Sequence, residues 1–241
     1  MKKKPFCLSS SGFICFAHRG ASGHEPENTL LAVEKAIAMG APWIEIDVFA
    51  VEGELVVIHD DRLETTTNGA GYVTQQSLAY LRSLDAGKGQ RIPLLREVFD
   101  LAGGRVGVNV ELKGPETAAP VMKLINEYER LPDMDGSRIL VSSFNRRELI
   151  KARSLTPDIP IGVLVRGIPS GDAGFAEELG AVSIHAGLSF VHRAFVDDAH
   201  RRGLKVFVYT VNHRDDLKRM RAMGVDGVFT NYPERVISGN G

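Results

Sequence analysis

Short apolar runs rich in β-branched residues alternate along this chain with segments whose apolar positions recur every three and four residues. The runs are FICFA (13–17), WIEIDVF (43–49), RVGVNVEL (105–112), RILVSSF (138–144), IPIGVLV (159–165), AVSI (181–184), KVFVYTV (205–211) and DGVFT (226–230). Between most of them lie amphipathic stretches such as ENTLLAVEKAIAM, ETAAPVMKLINEY, RRELIKARSL and HRAFVDDAHRR. Gly40, Gly180, Gly203 and Gly224 each close a helical stretch just before a strand, where a left-handed backbone is needed. Strands alternating with helices predict parallel pairing through right-handed crossovers. Eight such runs in 241 residues match a (β/α)8 TIM barrel, whose usual length is about 250 residues. An open doubly wound sheet is the alternative, but no Gly-rich dinucleotide fingerprint follows the first strand. The chain reads as one barrel domain over 1–241, with an insertion over roughly 50–104.

One segment breaks the alternation. FAVEGELVVIHD leaves no room for a helix, so it predicts a β-hairpin turning at Glu52-Gly53. A two-residue turn there pairs Val51 with Glu54, Phe49 with Val56 and Asp47 with Ile58, and returns His59 opposite Ile46. The stretch 60–104 that follows is polar at first (ETTTNGAGYVT) and then carries two helical candidates, around LAYLRSL and LREVFDLA. It reads as an excursion lying over one end of the barrel.

The polar residues on the strands fall at the strands' C-terminal ends, where barrels of this kind hold their sites. Side chains alternate across a strand, so Trp43, Glu45 and Asp47 share one face and Ile44, Ile46 and Val48 the other. The apolar face packs on helices, and the carboxylates therefore point into the barrel. The same parity sets Asn109, Glu111 and Lys113 against Val108, Val110 and Leu112. Buried carboxylates need cations. Lys113 is one candidate and a bound metal the other. An all-carboxylate set suits a hard divalent ion, Mg²⁺ or Ca²⁺, better than zinc. The first strand ends in His18 and Arg19, and the hairpin returns His59 to the same rim. Two histidines supply an acid and a base, while Arg19 and Lys113 suit the charge of a phosphate. Together these types fit hydrolysis of a phosphodiester.

Composition narrows the partners. The formal net charge is -1, so no basic field points to nucleic acid. No apolar run reaches the roughly 20 residues that span a bilayer. Two cysteines, Cys7 and Cys15, are too few for a disulfide framework and fit a cytoplasmic protein. MKKKPFCLSSSGFICFA imitates a signal peptide, but Ser9, Ser10, Ser11 and Gly12 interrupt its apolar part and cleavage after Ala17 would remove the strand before His18. It is expected to be a short basic tail. The oligomeric state is not encoded in any pattern seen here.

HRG with PENT downstream, EIDV, the HD of His59-Asp60, TTNGAG, the ELK of 111–113, SSFN, VYTVN and GVDGVFTNYP follow one another in an order that resembles the glycerophosphodiester phosphodiesterase family nearly end to end. The resemblance implies a barrel, a divalent cation, and hydrolysis of a glycerophosphodiester to glycerol 3-phosphate and an alcohol. It implies His18 and His59 as the acid/base pair, Glu45, Asp47 and Glu111 as metal ligands, and Arg19 and Lys113 as phosphate contacts. Where the family often has Trp, Arg and Asp, this chain has Tyr209, Glu64 and Asn231. The first change touches the substrate pocket, and none is expected to touch the catalytic set. A lyase releasing a cyclic phosphate and a non-catalytic barrel are the competing readings. Ser142 and Ser143 sit in no nucleophile elbow. Glu27 and Asn28 are read as opening the first helix, and His24 and His185 as secondary candidates for substrate contact.

Overall fold

A computed structural model describes residues 12–130, 138–167 and 172–238. Cys7 and most of the basic N-terminal stretch lie outside the described residues. The strands are β1 (Ile14–His18), β2 (Trp43–Val51), β3 (Glu54–Val57), β4 (Gly107–Leu112), β5 (Ile139–Ser143), β6 (Ile161–Val165), β7 (Ser183–Gly187), β8 (Lys205–Tyr209) and β9 (Gly227–Thr230). The sheet order is β1-β9-β8-β7-β6-β5-β4-β2-β3, and β1 also pairs with β2. Eight parallel strands therefore close on themselves as a TIM barrel, and β3 is an extra antiparallel edge on β2. Helices α1 (Leu30–Ala38), α2 (Leu78–Ser83), α3 (Leu95–Ala102), α4 (Ala118–Tyr128), α5 (Arg146–Leu155), α6 (Asp172–Glu178), α7 (Arg193–Arg201), α8 (Arg214–Met223) and α9 (Glu234–Ile237) complete the chain. No described helix is long and apolar enough to cross a membrane.

The outward face of each strand, such as Ile44, Ile46 and Val48 on β2, packs with helix residues such as Val33, Phe99 and Val121 into the main core. The inward face builds a separate aromatic plug. Phe16 lies 5.5 Å from Trp43, 4.8 Å from Phe207 and 4.6 Å from Phe229, measured between ring centroids. Gly107 makes room for it, because a Cβ there would fall 2.4 Å from the Trp43 ring. The plug fills the barrel below its mouth, as close-packed interiors require.

The hairpin has the expected register. Val51 pairs with Glu54 and Phe49 with Val56, and the Ile58 N–H donates to the Asp47 carbonyl at 3.0 Å. Glu52 and Gly53 take φ of 50° and 82°, the left-handed pair of a tight hairpin turn. Beyond it, Phe49, Val51, Val56, Ile58, Leu63, Val73, Leu81, Leu84 and Ile92 form a second, smaller apolar cluster. The insertion's tip reaches the loop after β1, where Lys88 pairs with Glu25 at 2.6 Å. The stretch 60–104 is not all excursion, however. Leu95, Val98, Phe99 and Ala102 of α3 belong to the main core, and α3 is the crossover helix between β2 and β4 in the outer ring.

Candidate active site

The mouth of the barrel gathers its functional side chains from four stretches. β1 delivers His18 and Arg19, β2 delivers Glu45 and Asp47, β4 delivers Glu111 with Lys113 just beyond it, and the hairpin delivers His59. In the register His18 pairs with Glu45, Glu45 with Asn109, and Asp47 with Glu111. One carboxylate oxygen from each of Glu45, Asp47 and Glu111 can be chosen so that all three lie within 4.8 Å of one another. All three residues are buried. A cavity of about 200 Å³ opens beside them, lined by Glu45 and Glu111 and also by His18, Arg19, His59, Lys113, Phe144 and Arg166.

The protein's own groups only partly satisfy this cluster. Glu45 Oε2 accepts from the Arg19 backbone N–H at 3.0 Å, while the buried Glu45 Oε1 has no partner. Lys113 Nζ donates to Glu111 Oε1 at 3.0 Å and stands 3.7 Å from Asp47 Oδ1. Arg19 Nε lies 3.4 Å from Asp47 Oδ2, and Arg19 Nη1 is 2.8 Å from Glu27 Oε1. Two cations thus face the four carboxylates of Glu27, Glu45, Asp47 and Glu111. Burial, with Asp47 and Glu111 nearby, holds the Glu45 carboxyl well above its ordinary range. Burial and then Asp47 raise Glu111 to about 7. Crowded, half-satisfied carboxylates with an orphaned oxygen are what a divalent cation site requires, and all-oxygen donors suit a hard ion.

Both histidines are oriented through Nδ1. His18 Nδ1 lies 2.8 Å from Asn231 Oδ1, and His59 Nδ1 lies 2.7 Å from Asp60 Oδ1. An acceptor at Nδ1 assigns the hydrogen there and leaves Nε2 to the site. His18 Nε2 points toward Glu45, 4.0 Å from Oε2. Burial, then the neighbouring Arg19, pulls the His18 pKa down to about 4, against the opposing pull of Asp47. The shift favours the neutral ring, in which Nε2 is the accepting nitrogen.

Three expectations from the sequence need correction. Asn28 does not cap α1; Thr29 does, its hydroxyl accepting from Ala32 N at 3.2 Å. Two capping residues stand side by side there, and the surplus one, at φ 56°, turns back to the site. Asn28 Nδ2 donates to Asp47 Oδ2 at 2.9 Å and its Oδ1 accepts from Asp47 N at 3.2 Å. Glu27 likewise serves Arg19. Asn231, expected to stand apart from the catalytic set, is the partner of His18. His185 is mid-strand and fully buried within the barrel, bonded to Ser183 Oγ at 2.9 Å and flanked by Phe207 and Phe229. It does not line the cavity. His24 is tied to Glu234 at 3.2 Å. Ser143 Oγ donates to the Leu112 carbonyl at 2.6 Å, and neither Ser142 nor Ser143 lines the cavity. Glu64 accepts from Gly71 N at 3.0 Å within the insertion loop. Tyr209 does line the cavity, its hydroxyl donating to the Val165 carbonyl at 2.6 Å.

The sequence matches the glycerophosphoryl diester phosphodiesterase family over residues 18–235. It is 36% identical over 239 residues to a glycerophosphodiester phosphodiesterase of Caldanaerobacter subterraneus, covering 93% of this chain and 96% of that one. A glycerophosphodiester phosphodiesterase of Bacillus subtilis is 33% identical, covering 94% of this chain and 86% of its own. Among solved structures, an Oleispira antarctica phosphodiesterase in complex with the product sn-glycerol-3-phosphate superimposes with a TM-score of 0.86 at 34% identity, covering 93% of this chain and 95% of that one.

Proposed function

This chain belongs to the glycerophosphoryl diester phosphodiesterase family, and we propose that it hydrolyses glycerophosphodiesters to glycerol 3-phosphate and an alcohol, with one divalent cation and two histidines. The observation that carries this reading is the convergence of His18 and His59 on one cavity beside Glu45, Asp47 and Glu111.

Glu45, Asp47 and Glu111 would hold Mg²⁺ or Ca²⁺, and such an ion supplies Lewis-acid stabilisation of charge developing on phosphoryl oxygens. The chain's own residues do the rest. Asn28 fixes the Asp47 carboxylate from two sides. Arg19 and Lys113 face the anionic phosphate, and substrate draws them from the carboxylates they now contact. One histidine takes the proton of the attacking water at Nε2, and the other delivers a proton to the leaving alcohol oxygen. Water's oxygen forms a bond to phosphorus as the bond to the alcohol oxygen breaks, and the water's two hydrogens end on the phosphate and the alcohol. Asn231 and Asp60 accept from Nδ1 of the two imidazoles and so turn both Nε2 atoms to the site; Nε2 of the base is bare, and Nε2 of the acid carries the proton it delivers, as an imidazolium. The reported complex of the Oleispira protein with sn-glycerol-3-phosphate supports the half of the substrate assigned as retained.

The test is phosphorus NMR of products formed from glycerophosphoglycerol in ¹⁸O-labelled water with Mg²⁺ or with Ca²⁺. One ¹⁸O in glycerol 3-phosphate is expected. A cyclic phosphate product, or full turnover in excess chelator, overturns the reading.

A further inference from the structure

We propose that the wall of the mouth remote from the carboxylates selects diesters whose leaving alcohol carries an anionic group, and that Arg166 is the residue that selects them. This rests on the phosphodiesterase reading above and adds the class of alcohol. Arg166 follows the last residue of β6 and lines the same cavity as His18 and His59. Its guanidinium carbon lies 4.3 Å from the centroid of the Phe144 ring. Phe144 in turn meets Tyr209 edge to face, at 5.8 Å and 89°. The Tyr209 hydroxyl is bonded back to β6 through the Val165 carbonyl. Stacking and this bond hold the wall in one geometry, and among the described residues the guanidinium's N–H groups have no hydrogen-bond acceptor.

Charge then decides what the wall accepts. Glu45 and Glu111 are the acids lining the cavity, and both belong to the carboxylate cluster already faced by Arg19 and Lys113. The remaining wall of Phe144, Leu164, Arg166, Tyr209 and Thr210 carries one formal charge, which is positive. Among the described residues Arg166 makes no ion pair. A quaternary ammonium headgroup needs an open aromatic face, but the Phe144 ring is already engaged by Arg166 at 4.3 Å and Lys113 at 5.9 Å. A carboxylate or phosphate monoester instead meets the planar fork of a guanidinium, which matches either anion with paired N–H···O bonds. Arg166 is exposed at the rim, so this preference is salt-sensitive.

The experiment measures kcat/KM with Mg²⁺ or Ca²⁺ for four glycerophosphodiesters. Their alcohols are choline, glycerol, glycerol bearing a terminal phosphate, and glyceric acid. The anionic alcohols are expected to exceed glycerol about tenfold, in line with a charge-assisted hydrogen bond, with choline lowest. Arg166→Gln should compress the four values to within about threefold, Arg166→Glu should move choline to the top, and high salt should narrow the parent's range. A preference for the phosphate alone supports a phosphate subsite, and a preference for both anions supports a general anion subsite. An unchanged ranking in Arg166→Gln, an equal loss on all four substrates, or a parent that does not discriminate overturns the inference. Hydrolysis of none of the four overturns the phosphodiesterase reading instead.

Discussion

The two ends of the barrel treat a carboxylate drawn back from solvent, partly at one end and fully at the other, in opposite ways. At the N-terminal end, Asp226 precedes β9 and receives three donors: Lys205 Nζ at 2.7 Å, Val206 N at 2.8 Å and His200 Nε2 at 2.8 Å. These bonds outweigh its burial and hold its pKa below the ordinary value. At the C-terminal end, Glu45 and Glu111 are pushed upward by burial and then by the neighbouring Asp47, and Glu45 Oε1 has no partner. Folding alone satisfies the first end and leaves the second short of positive charge. One end contributes stability, and the other holds back its electrostatic complement for a cation and a phosphate.

The widest separation of the two ends comes from removing metal. Excess chelator, or Glu45→Gln, should lower kcat/KM by at least about 10³, while Asp226→Asn should leave activity per folded molecule near the parent value. Stability should move the other way. Metal-free Glu45→Gln should unfold at equal or higher urea than the metal-free parent, because it removes a buried charge from a crowded site. A Glu45→Gln variant that is active without metal, or clearly less stable than the metal-free parent, breaks the contrast.

Within the C-terminal end, His18→Ala and His59→Ala should each cut kcat by about 10²–10⁴. The double variant should lose far less than the product of the two, because the groups act as a unit. A nitrophenyl diester, whose leaving group needs no proton, should restore whichever variant lacks the acid. Equal rescue of both would remove the division of labour.

The pH dependence of stability should carry opposite signs. Glu111's folded pKa is raised, so the metal-free native state binds more protons than the unfolded state between the unfolded value near 4.5 and the folded value of about 7. Stability of the metal-free protein should therefore fall as pH rises through that window, and Glu111→Gln should flatten the slope. Asp226's folded pKa is depressed. Its contribution is fully present above the unfolded value and is lost as pH falls through the folded one. Asp226→Asn should cost about 1–2 kcal/mol at pH 7, the scale of lost charge-assisted hydrogen bonds, and this deficit should vanish in acid. Urea unfolding at a series of pH values measures both.

The finest test concerns Asn231. Its amide accepts from His18 without adding charge. Asn231→Asp adds a carboxylate at 2.8 Å and should raise the acid limb of the kcat/KM profile by about one pH unit. An unmoved limb would exclude His18 as the group seen in that limb.

The strands and the hairpin register were legible because alternation has only two phases, and a slip would have put Glu45 and Asp47 among the helices beside Ile44 and Ile46. His59 followed from the same counting. Asn28 was hidden by a local ambiguity, since Asn and Thr both cap helices and the sequence does not say which is left over. Asn231 was hidden by distance, lying 213 positions from the histidine it orients, across a pairing of β1 with β9 that appears only when the barrel closes. The apolar run AVSI places His185 at a strand end, but β7 runs on to Gly187, and its alternation turns that imidazole inward. Helix α3 reads as part of the excursion because the chain gives no mark where the insertion stops and the repeating unit resumes.

The second apolar cluster has a thermal consequence. His18 stands on the barrel, but the hairpin that carries His59 rests one face on this smaller cluster of Phe49, Val56, Ile58, Leu63 and their neighbours. Small clusters open at lower free energy than the cores beside them. On heating, the insertion should loosen first, shown by amide hydrogen exchange across residues 54–92 while the strands β4 to β9 stay protected. Catalysis then has a melting curve of its own. It should fall away several degrees before the circular dichroism of the barrel changes, and return in full on cooling.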